Sequence, residues 1–141
     1  WQHITYAAML QRVRRIATWL LGQGLSAERP LLILSGNDLE HVQLATAALY
    51  AGIPYCPVSP AYSLLSQDFG KLRHIVQTLQ PGLVFAADAA YGRAIDAVFE
   101  PSINLVLGQG ELAGWASTPF AEVLATVARH GAVFCCSSTT R

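Results

Sequence analysis

Between residues 5 and 23 apolar side chains recur at helical spacing. Tyr6, Met9, Val13, Ile16 and Leu20 share one face, with Arg12, Arg15 and Thr18 turned away from it. The pattern predicts an amphipathic helix, with Thr5 placed to cap it, Ile4 to staple against Met9, and Gly22 and Gly24 to stop it. The period then changes. Leu31 to Leu34 is wholly apolar, as expected of a central parallel strand. Gly36-Asn37-Asp38 turns the chain, with Asn37 and Glu40 spaced like a capping box. A helix over 38–51 follows, and its Ala45, Ala47 and Ala48 let the backbone lie close to a sheet before Gly52 ends it. A strand from Ile53 to Val58, a helix over 66–79, a strand from Leu83 to Ala86, a helix over 88–99 and a strand from Ile103 to Leu107 continue the series. A helix from Phe120 to Arg129 and a fifth strand from Ala132 to Cys135 complete it.

Strands alternating with helices predict an α/β fold: a mostly parallel sheet with right-handed crossovers and helices on both faces, in three α/β/α layers. No repeat, linker or low-complexity segment interrupts the series. Residues 1–141 read as one α/β domain, with 130–141 a tail whose order the pattern leaves open.

Composition adds to this picture. Apolar residues make up 52% of the chain and charged residues 13%, against a usual charged share of about 25%. That imbalance suits a sheet buried on both faces, and equally a piece of a larger protein whose natural covering is missing. Trp1 stands where Met is expected, which also points to an excised segment. Nine basic and nine acidic side chains cancel without forming a block, so nucleic acid is excluded as a partner. No signal peptide precedes the chain and no apolar run reaches the roughly 18 residues of a membrane span, so a cytoplasmic location without membrane attachment is expected. Cys56 and the pair Cys135–Cys136 fit neither a disulfide framework nor a metal site.

Chemistry is sparse. Gly108-Gln109-Gly110-Glu111-Leu112-Ala113 matches the dinucleotide pattern G-x-G-x-x-[G/A] after a strand. Gly114, Trp115 and Pro119 interrupt the helix such a motif needs, and no acid follows Glu122 to hold a ribose, so a glycine-rich loop is the better account. No G-x-S-x-G elbow is present. His3, His41, His74 and His130 are scattered, and none has a carboxylate partner at helical spacing that would mark a base. Arg14, Arg15 and His74 read as solvated helix faces and Cys56 as core. No catalytic or metal-binding residue is assigned on these grounds.

The stretches "ITYAAMLQRVRRIATWLLGQGL" and "RPLLILSGNDLEHVQLATAALYAGIPYCPVSPAYSLLSQDFGKLRHIVQTLQPGLVF" resemble the amino-terminal part of adenylate-forming enzymes, the superfamily of acyl- and aryl-CoA synthetases. Within it, "PVSPAYSLLSQDFGKLRHI" is most similar to bacterial feruloyl-CoA synthetases. The resemblance implies the fold above as a fragment of a large amino-terminal domain. For the parent it implies an acid–CoA ligase using ATP, coenzyme A and Mg2+ on a small aromatic or acyl carboxylate. Its strand–loop–helix segment 54–75 then serves mainly as scaffold. Pro57 and Pro60 stiffen the strand exit, Ser66 caps the next helix, and Tyr62 and Ser63 are structural more than substrate-contacting.

The family's Ser/Thr/Gly-rich phosphate loop, its Pro-Lys and its later acid and lysine are not cleanly present. "VFCCSSTTR" matches the loop only at Phe134, Ser138 and Thr139, with Ser137 and Thr140 where glycines belong. Ser138 and Thr139 are therefore the remnant phosphate-loop candidates, and the fragment is expected to be inactive with no bound cofactor. A non-catalytic α/β binding or interaction module derived from the same scaffold is the alternative. An uncovered apolar surface predicts self-association, with Ala132–Cys136 as the expected contact.

Overall fold

The computed structural model describes residues 3–128. Within them lies a five-stranded, all-parallel sheet: β1 (Leu31–Leu34), β2 (Tyr55–Val58), β3 (Leu83–Ala86), β4 (Asn104–Leu107) and β5 (Ser117–Pro119), in the order β2-β1-β3-β4-β5. The helices are α1 (Tyr6–Leu21), α2 (Leu39–Ala51), α3 (Gly70–Leu79), α4 (Gly92–Val98) and α5 (Phe120–Ala125). The period of two along each strand sorts side chains between two cores. Leu31, Ile33, Leu83, Phe85 and Val106 pack with Val13, Ile16 and Leu20 of α1, Leu44 and Ala47 of α2, and Phe120 and Val123 of α5. Leu32, Leu34, Val84, Ala86, Leu105 and Leu107 pack with Leu72 of α3 and Ala94 and Ile95 of α4. The predicted three layers are thus present.

Local chemistry explains the element ends. Thr5 caps α1 by accepting from the Ala8 N–H at 3.2 Å. The fully buried stripe of α1 begins at Val13, with Met9 half-buried against the same core, whereas Tyr6, assigned above to the packed face, is 95% exposed. Asp38, rather than Asn37, caps α2: its Oδ1 accepts from the His41 N–H at 2.7 Å. Gly52 closes α2 at φ 70, and the Ile53 N–H reaches back to the Ala48 carbonyl at 2.8 Å.

β2 departs most from expectation. It starts at Tyr55, forms an edge of the sheet, and leaves Cys56 half-buried rather than in the core; partial burial pushes the thiol pKa up. The Leu31 N–H bonds to the Pro54 carbonyl at 3.0 Å and Ile33 stands opposite Pro57. The pleat therefore turns the main-chain groups of Cys56 and Val58 toward β1 and those of Tyr55 and Pro57 toward the open edge. Proline is tolerated there because its missing N–H is not needed for the ladder.

After β2 the chain makes a π-helical turn, Ala61–Leu65, and α3 begins only at Gly70, not at residue 66. Ser66 fixes the intervening turn instead of capping the helix. Its hydroxyl accepts from the Phe69 N–H and donates to Asp68 Oδ1, both at 3.0 Å, and the same carboxylate accepts from the Gly70 N–H at 3.2 Å. These bonds hold Phe69 at φ 53, unusual for a residue with a Cβ, with its ring buried. The predicted helix over 88–99 is a 3-10 turn, Ala89–Tyr91, running into α4. The expected strand at 132–135 lies outside the described residues. The fifth strand of the sheet is Ser117–Pro119, and α5 ends at Ala125.

Candidate functional site

In a doubly wound sheet, ligand sites lie beyond the carboxyl ends of the strands, where the strand order reverses. Here β1 leads outward to β2 on one side and to β3 on the other, so the reversal falls between β1 and β3. Ser35 and Gly36 follow β1, Ala87 and Asp88 follow β3, and Gly108 follows β4.

Ser35 is 3% exposed. His41, in the first turn of α2, sets its Nδ1 2.8 Å from Ser35 Oγ and 3.0 Å from the Gly36 carbonyl, while Ser35 Oγ donates to that carbonyl at 3.2 Å. A carbonyl only accepts, so the Nδ1–H tautomer satisfies all three groups. Across the reversal point Asp88 Oδ1 accepts from the Ala90 N–H at 2.8 Å. Tyr91 is buried, and its phenol pKa is pushed up by that burial first and then by the nearby carboxylates of Asp88 and Asp38. The two strand-end loops therefore face one another electrostatically.

A serine and a histidine at 2.8 Å have the spacing of a nucleophile and its base. The surroundings do not support that role. Ser35 is closed off from solvent and both groups are committed to the Gly36 carbonyl, so the pair locks the β1–α2 turn. Sequence reasoning missed it because it looked for carboxylate partners at helical spacing, whereas these residues are joined by a turn whose geometry is invisible in a pattern.

Ser63 is 4% exposed and its Oγ has no hydrogen-bond partner, and Tyr62 is half-buried with Lys71 Nζ 5.0 Å from its ring centroid. His74 is exposed. The glycine-rich loop leads into β5 rather than into a helix, so it offers no helix N-terminus to a pyrophosphate. Its first glycine serves a close approach: a Cβ on Gly108 would stand 2.4 Å from the Ala87 carbonyl oxygen. Leu112 covers Gly92, and the Trp115 indole N–H donates to Asp96, so the loop is pinned on α4.

At the opposite end of the sheet a cleft of about 290 Å³ is lined by Trp19, Gln23, Ser102, Asn104, Ser117 and Thr118, among others. None of its lining groups titrates, so it offers no acid–base chemistry. Among the described residues no three His, Cys, Asp or Glu side chains are grouped to hold a metal. Ser138 and Thr139, the phosphate-loop candidates, lie outside the described residues, as do Cys135, Cys136 and His130. No described helix is long and apolar enough to cross a membrane.

The model of the AMP-binding enzyme family matches residues 1–133. No curated protein matches the chain at the level of sequence. Among solved structures, the fold is similar to the luciferase-like enzyme of the mealworm Zophobas morio (TM-score 0.68, 20% identity, 87% of this chain and 28% of that one). It is similar also to a benzoate CoA ligase from Burkholderia xenovorans LB400 (TM-score 0.69, 20% identity, 89% of this chain and 24% of that one). A third is MatB from Rhodopseudomonas palustris (TM-score 0.63, 21% identity, 91% of this chain and 25% of that one). The chain therefore spans about a quarter of the length of these structures.

Proposed function

The chain belongs to the AMP-binding enzyme family, and from that premise we propose that it is the amino-terminal scaffold unit of an ATP-dependent acid–CoA ligase, inactive by itself. The observation that carries this reading is the family match across residues 1–133 on a fold that spans a quarter of its structural relatives. In the parent, a carboxylic acid, ATP and coenzyme A give the acyl-CoA, AMP and pyrophosphate. The similarity of residues 57–75 to feruloyl-CoA synthetases supports a hydroxycinnamate such as ferulate as the acid. Cytoplasmic location, magnesium dependence and self-association of the isolated chain belong to the same proposal.

Purified 1–141 should show no acid-dependent exchange of pyrophosphate into ATP above a buffer control; clear exchange would overturn its assignment as inactive scaffold. Thioester formation by the longer protein should favour ferulate over benzoate and palmitate. A preference for palmitate removes the feruloyl assignment while leaving the family untouched.

A further inference from the structure

The cleft beside the amino-terminal ends of β4 and β5 takes no part in the chemistry proposed above. β5 joins the ladder only at Ser117, opposite Leu105, so Asn104 opens β4 with no strand beside it on that side. The gap leaves about 290 Å³ between these strands and the end of α1, near the lower end of the range for small-molecule sites. Leu83 and Leu105, both buried, and Trp19, half-buried, give the cleft apolar surface. Its polar lining is neutral: Gln23, Ser102, Asn104, Ser117 and Thr118. Elsewhere the hydroxyls of Thr18, Thr46 and Thr78 bond back to their own helices, and those of Ser26, Ser35 and Ser66 fix turns. Here, among the described residues, the hydroxyls of Ser102, Ser117 and Thr118, the Asn104 amide and the Trp19 indole N–H make no hydrogen bond. Gln23 spends its Nε2 on the Trp19 carbonyl at 3.3 Å and keeps its Oε1 free.

We propose that this cleft binds a neutral polyhydroxylated ligand, of which a single pyranose sugar is the simplest. Hydroxyls and carboxamides both donate and accept, as a ring of sugar hydroxyls requires. The indole and the leucine surface suit the C–H face that a pyranose presents between its hydroxyls. No Asp, Glu, Lys, Arg or His lines the cleft, so an ionised ligand would shed water without meeting a counter-charge. The polar groups are exposed or half-buried, so each hydrogen bond to the ligand replaces one to water and the affinity is about millimolar. The cleft lies at the end of the sheet opposite to Ser35 and Asp88. It is therefore separate from the strand-end loops, and a positive exchange assay would leave the proposal standing.

Titration of the isotope-labelled chain with glucose, galactose and mannose to about 100 mM, followed by NMR, tests it in the range of such weak affinities. At least one sugar should shift, saturably, the Asn104 and Gln23 side-chain amides and the Trp19 indole N–H, a signal identified by its loss in Trp19→Phe. Signals of the β1–α2 turn should stay still. Asn104→Ala, at an exposed position, should weaken binding about three- to tenfold with the melting temperature unchanged. Ser117→Ala probes the same cleft from β5, so the site stays testable if either variant loses stability. The uronic acid of the sugar that binds should bind at least tenfold more weakly than the neutral sugar. No saturable shift with any of the three sugars overturns the proposal and leaves the cleft to be covered by further polypeptide. Shifts centred elsewhere, or binding indifferent to both substitutions, overturn the site. Equal binding of the uronic acid overturns the neutral ligand class.

Discussion

The layer holding α1, α2 and α5 and the layer holding α3 and α4 both pack on the sheet but are finished differently on the outside. Leu44 and Leu72, the central inner residues of α2 and α3, are both fully buried. Outward, α3 shows Lys71, Arg73 and His74, and neither α3 nor α4 carries a large exposed apolar side chain. The first layer exposes Leu10 and Leu21 on α1 and Val42 and Leu49 on α2. Inner packing is demanded by the sheet, and both layers meet that demand. Outer polarity depends on what lies beyond the helix, and helices α3 and α4 carry the more polar outer faces, while the π-helical turn beside them exposes Leu64 and Leu65.

The inner equivalence can be broken first. Leu44→Ala and Leu72→Ala should each cost about 2–5 kcal/mol, the range for emptying a buried leucine site, measured by urea unfolding. A loss below about 1 kcal/mol at one site would mean that its layer is loosely packed. The helix ends sharpen the contrast at about 1 kcal/mol. α2 ends on Gly52 at φ 70 with open space around it, whereas α3 ends on Gln80 at φ 46. Gly52→Ala should lower stability by about 1 kcal/mol, and Gln80→Gly should raise it by about 0.5–1 kcal/mol, because glycine accepts the left-handed region without a Cβ penalty.

The smallest effect concerns the entry to α3. The Gly70 N–H, and then the Ser66 hydroxyl, hold the Asp68 pKa below its ordinary value. A carboxylate depressed on folding contributes stability that is present above its unfolded pKa and lost as pH falls through the folded one. The unfolding midpoint should therefore drop slightly more between about pH 6 and pH 3 in the parent chain than in Asp68→Asn. Equal drops would show that the turn stands without its charge.

Strands β1 and β3 were legible to the residue because apolar four-residue runs bounded by turn formers have few alternatives. The start of α3 was not. Ser66 looks like a cap, and only the left-handed Phe69 shows that the helix waits for Gly70. β5 was missed because Ser117-Thr118-Pro119 has no apolar pattern; it is a strand through pairing with Leu105–Leu107. The asymmetry of α2 lay in the sequence as well, in an alanine-rich helix with Val42 and Leu49 seven residues apart. It becomes informative once Leu44 and Ala48 are known to face the sheet. The phosphate-loop candidates Ser138 and Thr139 stay where sequence left them, outside the described residues.

Pro57 bears on how the protein ages in a concentrated solution. A strand arriving from another molecule needs a row of main-chain donors and acceptors, and the open side of β2 offers the N–H of Tyr55 but none at Pro57. The template breaks after a single donor, too short for cross-β growth. Strand addition along this edge should accordingly stop before it can propagate.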